Sequence, residues 1–600
     1  MGSIAAVLSR TEPPGHPQVE RMLRAAPHRG TELKTVKLGS AVLGVSSGDG
    51  VGASAVVAED GWAAAFSGDF DNLEELAREL DEAGARALGP AGAPPCEARV
   101  LIRAFLTYGA EAPARIRGPF TGVVSDGRTL WSFRDAVGFR PLVYRDEPRG
   151  VWVATEVKQV VVGSGIGYRP NLEVMERIFH ATVGKDSRCA VEGVEHVAQG
   201  HVLASDARSS RLLRYWRPEA LLETARWDLD ELQERFDALM TRAVDRCLHG
   251  DDVVSLSGGV DSPAVAAYGA PVHLERTGRP LSALSGFYPD FPSVDESDRI
   301  RLVAEALGMP LHSYEPRARA TDGLLSWVRL LDGPVPVVSL AQTRESLEQA
   351  AGRGFRCMLT GEMAEFVFDA SQGVQDHLLG RGRIGSALRL HRTSRERNGR
   401  NGDGAGSLAK RTLRSWVPDP AWMLYRRARP VPPRRTPPWI DAQRVPRPPV
   451  RSPRHQWREN QLMALHGSSL PLQADDFIQS VTGVKTRRPW TDLDLWALFL
   501  SLPAQVKHPE PGSKALVRRL LRGRVPDPIL DRTKKTVFDE AIAKSIDYQE
   551  LERWLVKPEH RVPGIRYELL AERLERRELN LVEFMRAKDL AAVHAFLSLC

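Results

Sequence analysis

The stretch "SLSGGVDSPA", residues 255–264, decides the fold of the larger part of the chain. It follows the apolar run "DDVV" and precedes a segment with helical composition, so it joins a buried strand to a helix. Gly258 and Gly259 allow backbone N–H groups to approach an anion closely. The hydroxyls of Ser257 and Ser262 and the N-terminus of the following helix add further donors. The sequence therefore predicts a phosphate-binding loop.

Asp261 gives this loop a second property. A bare phosphate would repel the carboxylate, so we expect Asp261 to bind Mg²⁺ between phosphates. The loop is not a Walker A motif, because the pattern GxxxxGK[ST] is absent and no lysine follows.

The segments after the loop alternate between strand-like and helix-like patterns. "LSALSGFY" (281–288), "MPLHSYE" (309–315) and "FRCMLTGE" (355–362) have the composition of strands, whereas "DESDRIRLVAEALG" (295–308) is typical of a helix. This alternation predicts a doubly wound parallel sheet, in which ligands bind beyond the carboxyl ends of the strands. From about residue 370 onward the pattern is mostly helical.

The first 215 or so residues follow a different pattern. Short β-rich runs such as "SAVLGVSS" (40–47) and "FTGVVSDGRTLWSFRD" (120–135) are separated by turns. Two helical segments interrupt them, at 72–84, where Asn72 is the expected N-cap, and at 96–109. Layered sheets flanked by helices are expected here, so the predicted fold class is α/β with domains at 1–215 and 225–600.

Composition sets the broad class of the protein. A chain of 600 residues is too long for one core, and no run approaches the roughly 18 to 20 apolar residues of a membrane helix, so no membrane association is predicted. The five cysteines form neither a CxxC pair nor an even disulfide framework, which favours a reducing cytoplasm.

Positive charge is concentrated in one region. Residues 381–458 contain 20 Lys and Arg against four Asp and Glu, a net +16 in a chain of net +6. Two interpretations remain open: a solvated surface around a Pro- and Gly-rich insertion, or a docking surface for an acidic peptide, a partner protein or phosphate. No nucleic-acid-binding motif accompanies the charge, so nucleic acid is not a predicted partner. The stretches 395–407 and 429–449 are expected to be mobile or extended.

Five ordered segments resemble one family. The loop resembles the SGGxDS loop of the ATP pyrophosphatase group, which forms acyl-adenylates and releases pyrophosphate. "DESDRIRLVAEALGMPLHSY", "LDGPVP", "LTGEMAEFVF", "GVKTRRPWTDLDLWALFLSLP" and "VPDPILDRTKKTVF" are similar, in the same order, to segments of asparagine synthetases and their relatives. The resemblance implies an adenine nucleotide alpha hydrolase-like domain that uses ATP and Mg²⁺.

The resemblance also implies roles for individual residues. Glu365 aligns with a second Mg²⁺ ligand, an aspartate in the family. Glu362 could orient or deprotonate an incoming amine, or serve only as a structural hydrogen-bond acceptor. Lys534 matches a lysine that would stabilise charge on a tetrahedral intermediate. The residues expected to contact the nucleotide are Ser255, Ser257, Gly258, Gly259, Asp261, Ser262, Ser285, Thr360 and Gly361.

The N-terminal part resembles the glutamine amidotransferase domain, an Ntn-hydrolase-like sandwich, through "PHRG" (27–30), "FSGDFDNLEEL" (66–76) and "GPFTGVVSD" (118–126). In that family an N-terminal cysteine attacks glutamine. Here the position holds Gly2, which has no nucleophilic atom. Ser67 replaces an asparagine of the oxyanion site, and Pro95 stands near the position of the aspartate that holds the glutamine amine. The domain is therefore predicted to keep the fold and to have lost glutamine hydrolysis.

A carboxylate that is activated without glutamine-derived ammonia needs another amine. Two kinds of relative use an amine of the substrate itself: β-lactam synthetases and lasso peptide cyclases. The chain length, the basic insertion and Glu362 in place of a tyrosine favour a lasso peptide cyclase that closes a macrolactam in a leader-cleaved precursor peptide. A leader peptidase and a leader-recognition protein are the partners this implies. β-Lactam-type closure, ammonia-dependent asparagine synthesis and a non-catalytic scaffold remain as alternatives.

Overall fold

The structure is a computed structural model. It describes residues 1–48, 53–87, 94–180, 187–225, 228–334, 336–368, 371–398, 405–429, 436–445, 451–462, 470–532, 536, 542 and 546–600.

The N-terminal region contains two antiparallel sheets of six described strands each. In one sheet the strand order is β10-β8-β9-β1-β3-β2, and in the other it is β12-β11-β7-β6-β5-β4. The strands are β1 (Ser3–Ser9), β2 (Glu32–Leu38), β3 (Ala41–Ser47), β4 (Ala53–Glu59), β5 (Trp62–Gly68), β6 (Phe120–Ser125), β7 (Leu130–Arg134), β8 (Val143–Glu147), β9 (Gly150–Ala154), β10 (Glu195–His196), β11 (His201–Ser205) and β12 (Ser210–Arg214).

Alternation along β1 shows how the sheets are layered. Successive side chains of a strand point to opposite faces. Ile4, Ala6 and Leu8 pack between the two sheets, whereas Ala5 and Val7 face the helices outside. The flanking helices are α1 (His16–Arg24), α2 (Leu73–Glu82), α3 (Glu97–Tyr108), α4 (Val157–Ser164) and α5 (Leu172–Phe179). The result is a four-layer helix–sheet–sheet–helix sandwich.

A parallel five-stranded sheet is the core of the second region. Its strands are β13 (Asp252–Ser255), β14 (Ser282–Gly286), β15 (Leu311–Tyr314), β16 (Cys357–Leu359) and β17 (Lys485–Arg487), in the order β15-β14-β13-β16-β17. Val253 packs with helices on one face and Val254 with helices on the other, so both faces are covered. The strand order reverses at β13, and the loop 255–260 therefore lies at a topological switch point. The predicted α/β fold class is confirmed.

The remaining helices cover this sheet and extend beyond it. They are α6 (Leu229–Asp245), α7 (Asp261–Thr277), α8 (Ser297–Ala306), α9 (Leu324–Leu331), α10 (Leu340–Ala351), α11 (Ala364–Phe368), α12 (Val374–Gly380), α13 (Ile384–Asn398), α14 (Ala405–Trp416), α15 (Asp419–Ala428), α16 (Pro453–Leu462), α17 (Leu470–Thr482), α18 (Leu493–Ser501), α19 (Ala504–Lys507), α20 (Ala515–Leu520), α21 (Asp527–Leu530), α22 (Tyr548–Leu555), α23 (Tyr567–Glu575) and α24 (Leu581–Leu597). No helix in the described ranges is long and apolar enough to cross a bilayer.

Two local expectations were wrong. Within the Pro- and Arg-rich stretch, residues 436–445 are not mobile: Trp439 is fully buried, and Ile440 forms a β-bridge with Ile565, because both apolar side chains join the core of the C-terminal helices. The Gly-rich stretch 395–407 is helical at both ends, up to Asn398 and again from Ala405, whereas residues 399–404, 430–435 and 446–450 lie outside the described residues.

Asn72 precedes α2 but does not cap it. Its side-chain amide donates to the carbonyl of Arg115 (2.9 Å) and its carbonyl accepts from the N–H of Arg117 (2.8 Å). The amide therefore joins α2 to the segment before β6 instead of satisfying a free N–H at the helix start.

Candidate active site

The loop after β13 is held by its own hydroxyl groups. The hydroxyl of Ser262, in the first turn of α7, accepts from the N–H of Ser257 (2.9 Å), and the two hydroxyls are also 2.9 Å apart. The Ser257 hydroxyl accepts a long hydrogen bond from Gly259 (3.4 Å). Ser255 is the last residue of β13. This arrangement shapes the backbone at the helix N-terminus, where anions bind favourably.

A carboxylate already contacts a backbone donor of the loop. The N–H of Gly258 donates to Glu296 (2.9 Å), which also accepts from the Thr536 hydroxyl (2.5 Å) and from Arg299 and Arg532 (3.0 and 3.3 Å). Burial by itself would raise the pKa of Glu296, but these hydrogen bonds and charges lower it below its usual value. The loop and its surroundings thus stabilise negative charge.

Asp261 has the surroundings expected of a cation ligand. One carboxylate oxygen accepts from the Lys514 ammonium, and the backbone carbonyl accepts from the Trp490 indole (3.0 Å). The other carboxylate oxygen, Oδ1, is buried and has no hydrogen-bond partner among the described residues. A buried acceptor of this kind costs free energy unless a ligand satisfies it. The carboxylate therefore fits a Mg²⁺ ion.

The backbone just after β16 lies very close to the backbone at the start of α7. A side chain at Gly361 would place its Cβ 2.4 Å from the N of Ser262 and 2.6 Å from the carbonyl carbon of Asp261. Both are backbone atoms, so only glycine allows this approach. Thr360 precedes it and donates its N–H to the carbonyl of Arg487 (2.9 Å) on neighbouring β17. The predicted residues of the two strands therefore meet at one edge of the sheet.

Ser285 forms a hydrogen bond within the protein. It lies in β14, is buried, and its hydroxyl donates to the backbone carbonyl of Leu256 (2.8 Å). Its side chain is thus engaged in joining β14 to the loop after β13. A direct contact with adenine stays a prediction.

Glu362 is exposed to solvent and forms an ion pair with Arg488. Its carboxylate accepts from the guanidinium of Arg488 (2.8 Å), and the same guanidinium donates to Asp475 on α17. Burial would lower the pKa of Arg488, but the two carboxylates raise it, so Arg488 stays charged. Glu362 is therefore held at the mouth of the site by a fixed cation. Glu365 lies on α11, and its side chain is exposed.

Lys534 lies outside the described residues, and its role stays a prediction. The roles of the other predicted site residues are likewise not decided by their placement.

Sequence reasoning missed Lys514, Glu296 and Arg488 as members of this site. Glu296 and Arg488 lie in segments that resemble the family, but the resemblance was not carried to these two residues, and Lys514 lies in none of those segments. In the structure Lys514 is marked by its backbone, which has φ of 59°, a left-handed conformation that is uncommon for a residue with a Cβ. Such strain is concentrated at functional sites.

The glutaminase-like pocket has no room for a nucleophile at Gly2. A Cβ there would lie 2.0 Å from the hydroxyl of Ser54 and 2.2 Å from the backbone carbonyl of Ser46. Arg140 completes the closure, because its guanidinium donates to the carbonyl of Gly2 (2.8 Å) and to the hydroxyl of Ser67 (2.8 Å).

The closed pocket is tied to the second region of the chain. Arg140 also donates to Asp476 on α17 (2.6 Å), and fully buried Arg29 pairs with the same carboxylate (2.7 Å). Buried charges need partners of this kind. The positions that a glutaminase would use for chemistry here form part of a contact with α17.

Comparisons with known proteins agree with this organisation. A family model described as asparagine synthase matches residues 235–588, and one described as glutamine amidotransferase domain matches residues 1–216. Asparagine synthetase (glutamine-hydrolyzing) 3 of Bacillus subtilis (strain 168) is 26% identical over 262 residues, which cover 41% of this chain and 41% of that protein. The match therefore spans less than half of the Bacillus protein.

Two further matches are more extended. "Putative asparagine synthetase (glutamine-hydrolyzing)" of Mycobacterium tuberculosis (strain ATCC 25618 / H37Rv) is 25% identical over 519 residues, or 80% of this chain and 74% of that protein. The solved structure of glutamine phosphoribosylpyrophosphate amidotransferase from B. subtilis covers 60% of this chain and 81% of that chain at 11% identity, with a TM-score of 0.26.

The asparagine synthase model spans more than half of the chain. It includes the loop 255–260, the predicted Mg²⁺ ligands Asp261 and Glu365, and Lys514. The chain belongs to the asparagine synthase family, whose members are ATP-dependent ligases that form carbon–nitrogen bonds.

Proposed function

We propose that this chain is a lasso peptide cyclase, which activates an Asp or Glu side chain of a leader-cleaved peptide with ATP and closes a macrolactam with the peptide's N-terminal amine. The observation that carries the proposal is the closed position at Gly2, where packing excludes any side-chain nucleophile. The synthetase site, in contrast, keeps its anion loop and Asp261. An enzyme that activates a carboxylate but releases no ammonia from glutamine needs another amine, and the N-terminal amine of the same peptide can supply it.

The first step joins the substrate carboxylate to the α-phosphorus of ATP and releases pyrophosphate. The phosphates would bind at the N-terminus of α7, and the N–H of Gly258, which donates to Glu296 here (2.9 Å), would exchange that carboxylate for a phosphate oxygen. Asp261 and Glu365 would hold Mg²⁺, which neutralises phosphate charge when bound. Since Lys514 and a divalent cation would compete for Asp261, we expect the Lys514 ammonium to turn toward a phosphate oxygen when the nucleotide binds.

The second step forms the amide. The neutral N-terminal amine attacks the acyl carbon, the C–O bond to AMP breaks, and the amine loses one proton. Glu362 carries a carboxylate at the mouth of the site that could accept this proton, and Arg488 fixes its position (2.8 Å). Lys534 would stabilise the negative charge on the tetrahedral intermediate and on departing AMP.

The test combines purified chain, ATP, Mg²⁺ and a synthetic peptide with a free N-terminus and one internal acidic residue. We expect AMP, pyrophosphate and a product lighter than the peptide by one water, measured by mass spectrometry. An N-acetylated peptide should not cyclise. The Asp261→Ala variant should release no pyrophosphate, whereas Asp298→Ala, which changes a fully exposed side chain, should match wild type.

Ammonia-dependent asparagine synthesis is the second candidate, because the curated relatives are named asparagine synthetases. Conversion of free aspartate to asparagine with ammonium, while every peptide keeps its mass, would replace our proposal with this one. The precursor peptide, a leader peptidase and a leader-recognition protein are proposed partners on the same basis. Closure of a small β-lactam-type ring would give the same AMP and pyrophosphate but with a small amino-acid derivative as substrate.

A further inference from the structure

Exposed apolar side chains are concentrated on two consecutive helices of the basic insertion. Of 15 large hydrophobic residues exposed among the described residues, five lie between 413 and 425. They sit on α14 and α15, which are joined by residues 417–418. They are Leu413 (73% exposed), Trp416 (59%), Met423 (42%), Leu424 (69%) and Tyr425 (47%). We call the exposed surface of these two helices the α14–α15 face. Clustered exposed apolar side chains mark interaction sites, whereas single ones are normal on a protein surface.

The same face is strongly positive. Residues 405–429 contain six Lys and Arg and one acidic residue, Asp419. Of the six cations, only Arg411 has an ion-pair partner among the described residues, and its distance to Asp376 is 4.0 Å. Asp419 is itself paired with His455 (3.0 Å). Positive charge on this face is therefore available to a partner.

The exposed apolar residues lie on helices that also carry packed and hydrogen-bonded side chains. The two helices also have buried and paired side chains: Trp422 is buried, its indole donates to the carbonyl of Arg451 (2.9 Å), and Arg414 stacks on its ring (5.2 Å). Trp416 donates its indole N–H to the carbonyl of Leu379 on α12 (3.0 Å) while most of its ring is exposed. The helices that carry the exposed side chains are thus joined by hydrogen bonds to Leu379 and Arg451.

The composition distinguishes between classes of partner. Trp, Tyr, Met and Arg are enriched in protein–protein interfaces and at their hot spots, whereas Lys is depleted. Five of the six cations are Arg and one is Lys410. The planar guanidinium can bind a carboxylate through two parallel hydrogen bonds, which the ammonium cannot.

We infer that the α14–α15 face is a docking surface for a partner protein that presents an acidic amphipathic segment, with carboxylates facing the arginines and apolar side chains covering Leu413 and Leu424. The site is separate from the nucleotide loop, but α12 connects them: it follows α11 in the chain and packs against α14. This inference stands whether or not the proposed function is right.

The test uses the full chain and a fluorescently labelled synthetic helical peptide with Glu on one face and Leu and Phe on the other. We expect saturable binding in fluorescence anisotropy that weakens at least tenfold in Leu413→Glu and Leu424→Glu, as for loss of a hot spot. Leu172→Glu is the matched control, because Leu172 is equally exposed (63%) on another helix, α5. Circular dichroism checks that each variant is folded.

Three results would overturn the inference. The first is equal binding of the peptide by wild type and both variants of the α14–α15 face. The second is preferential binding to vesicles of phosphatidylcholine and phosphatidylserine with no binding of the acidic peptide, since that would assign the face to a membrane surface. The third is equal binding of the same peptide with Lys in place of Glu, which should not bind if the partner's carboxylates face the arginines.

Discussion

At the scale of single residues, Gly2 illustrates how packing can exclude a side chain from a position more firmly than substitution alone. A missing thiol can be restored by one mutation if the space for it remains. Here the Cβ itself would collide with the Ser54 hydroxyl and with the backbone carbonyl of Ser46, and a carbonyl on a paired strand cannot rotate away. The carbonyl of Gly2 also accepts a hydrogen bond from the guanidinium of Arg140.

Gly2→Cys should therefore not create a glutaminase. We expect glutamate release from glutamine to stay at background and the free energy of unfolding to fall by about 1–3 kcal/mol, the usual cost of overpacking. An enzyme-coupled glutamate assay and urea denaturation measure the two effects. Gly167→Cys is the control, because nothing lies within 4 Å of a Cβ at that position. Glutamine turnover by the Gly2→Cys variant would show that the pocket is still competent.

At the scale of secondary-structure elements, α17 connects the two halves of the chain. Asp476 faces the closed pocket through Arg29 and Arg140, whereas the adjacent Asp475 accepts hydrogen bonds from Thr486 (2.6 Å) and from Arg488. Arg488 in turn holds Glu362. A single helix thus orients a carboxylate at the synthetase site.

Asp475→Asn should separate the two chemical steps. We expect ATP–pyrophosphate exchange to stay within about twofold of wild type, because the loop 257–259 is untouched. Amide formation should slow by up to roughly 100-fold, the lower end of a general acid–base contribution, because Glu362 is still present but Arg488 no longer has the partner that fixes it. Ser480→Ala is the control, because Ser480 lies on the same helix and its hydroxyl donates, within the described part of the chain, only to the carbonyl of Phe477. Equal losses in both steps would mean that Asp475 supports the fold and not the position of Glu362.

The elements also show what the sequence could and could not predict. The loop, β13 and α7 are contiguous, and their pattern of apolar run, glycines and helix predicted their arrangement. β17 has three residues, Lys485–Arg487, too few for a periodic signal, and it was not expected as a strand. The partners of Asp261 and Gly258, namely Lys514 and Glu296, lie 253 and 38 residues away. Only tertiary packing brings such groups together, so no local pattern could have identified them.

At the scale of the whole molecule, charge pairs join the sandwich to the parallel sheet. Asp69 pairs with Lys485 and Arg487, and Asp71 pairs with Arg487 (2.5 Å). Burial by itself would raise both carboxyl pKa values. At Asp69 the charges of Lys485 and Arg487 outweigh burial and lower the pKa of the carboxyl group. At Asp71 burial and the neighbouring Asp69 charge raise the pKa to about 6.

These opposite shifts predict losses of different size for Asp69→Asn and Asp71→Asn at pH 8. A lowered folded-state pKa stabilises the fold above the unfolded value of 3.8, so Asp69→Asn should lose about 3–5 kcal/mol at pH 8, as for a broken buried pair, and the loss should stay large down to pH 5. A raised pKa stabilises the fold at low pH and loses that contribution as pH rises through about 6, so the deficit of Asp71→Asn relative to wild type should be small at pH 8 and grow toward pH 5. Urea unfolding of the three proteins at pH 8, 6.5 and 5 measures both trends. Equal losses in the two variants at pH 8 would contradict the assignment, because the lowered pKa places the stabilising charge interaction at Asp69 and the raised pKa shows a net cost of charge at Asp71.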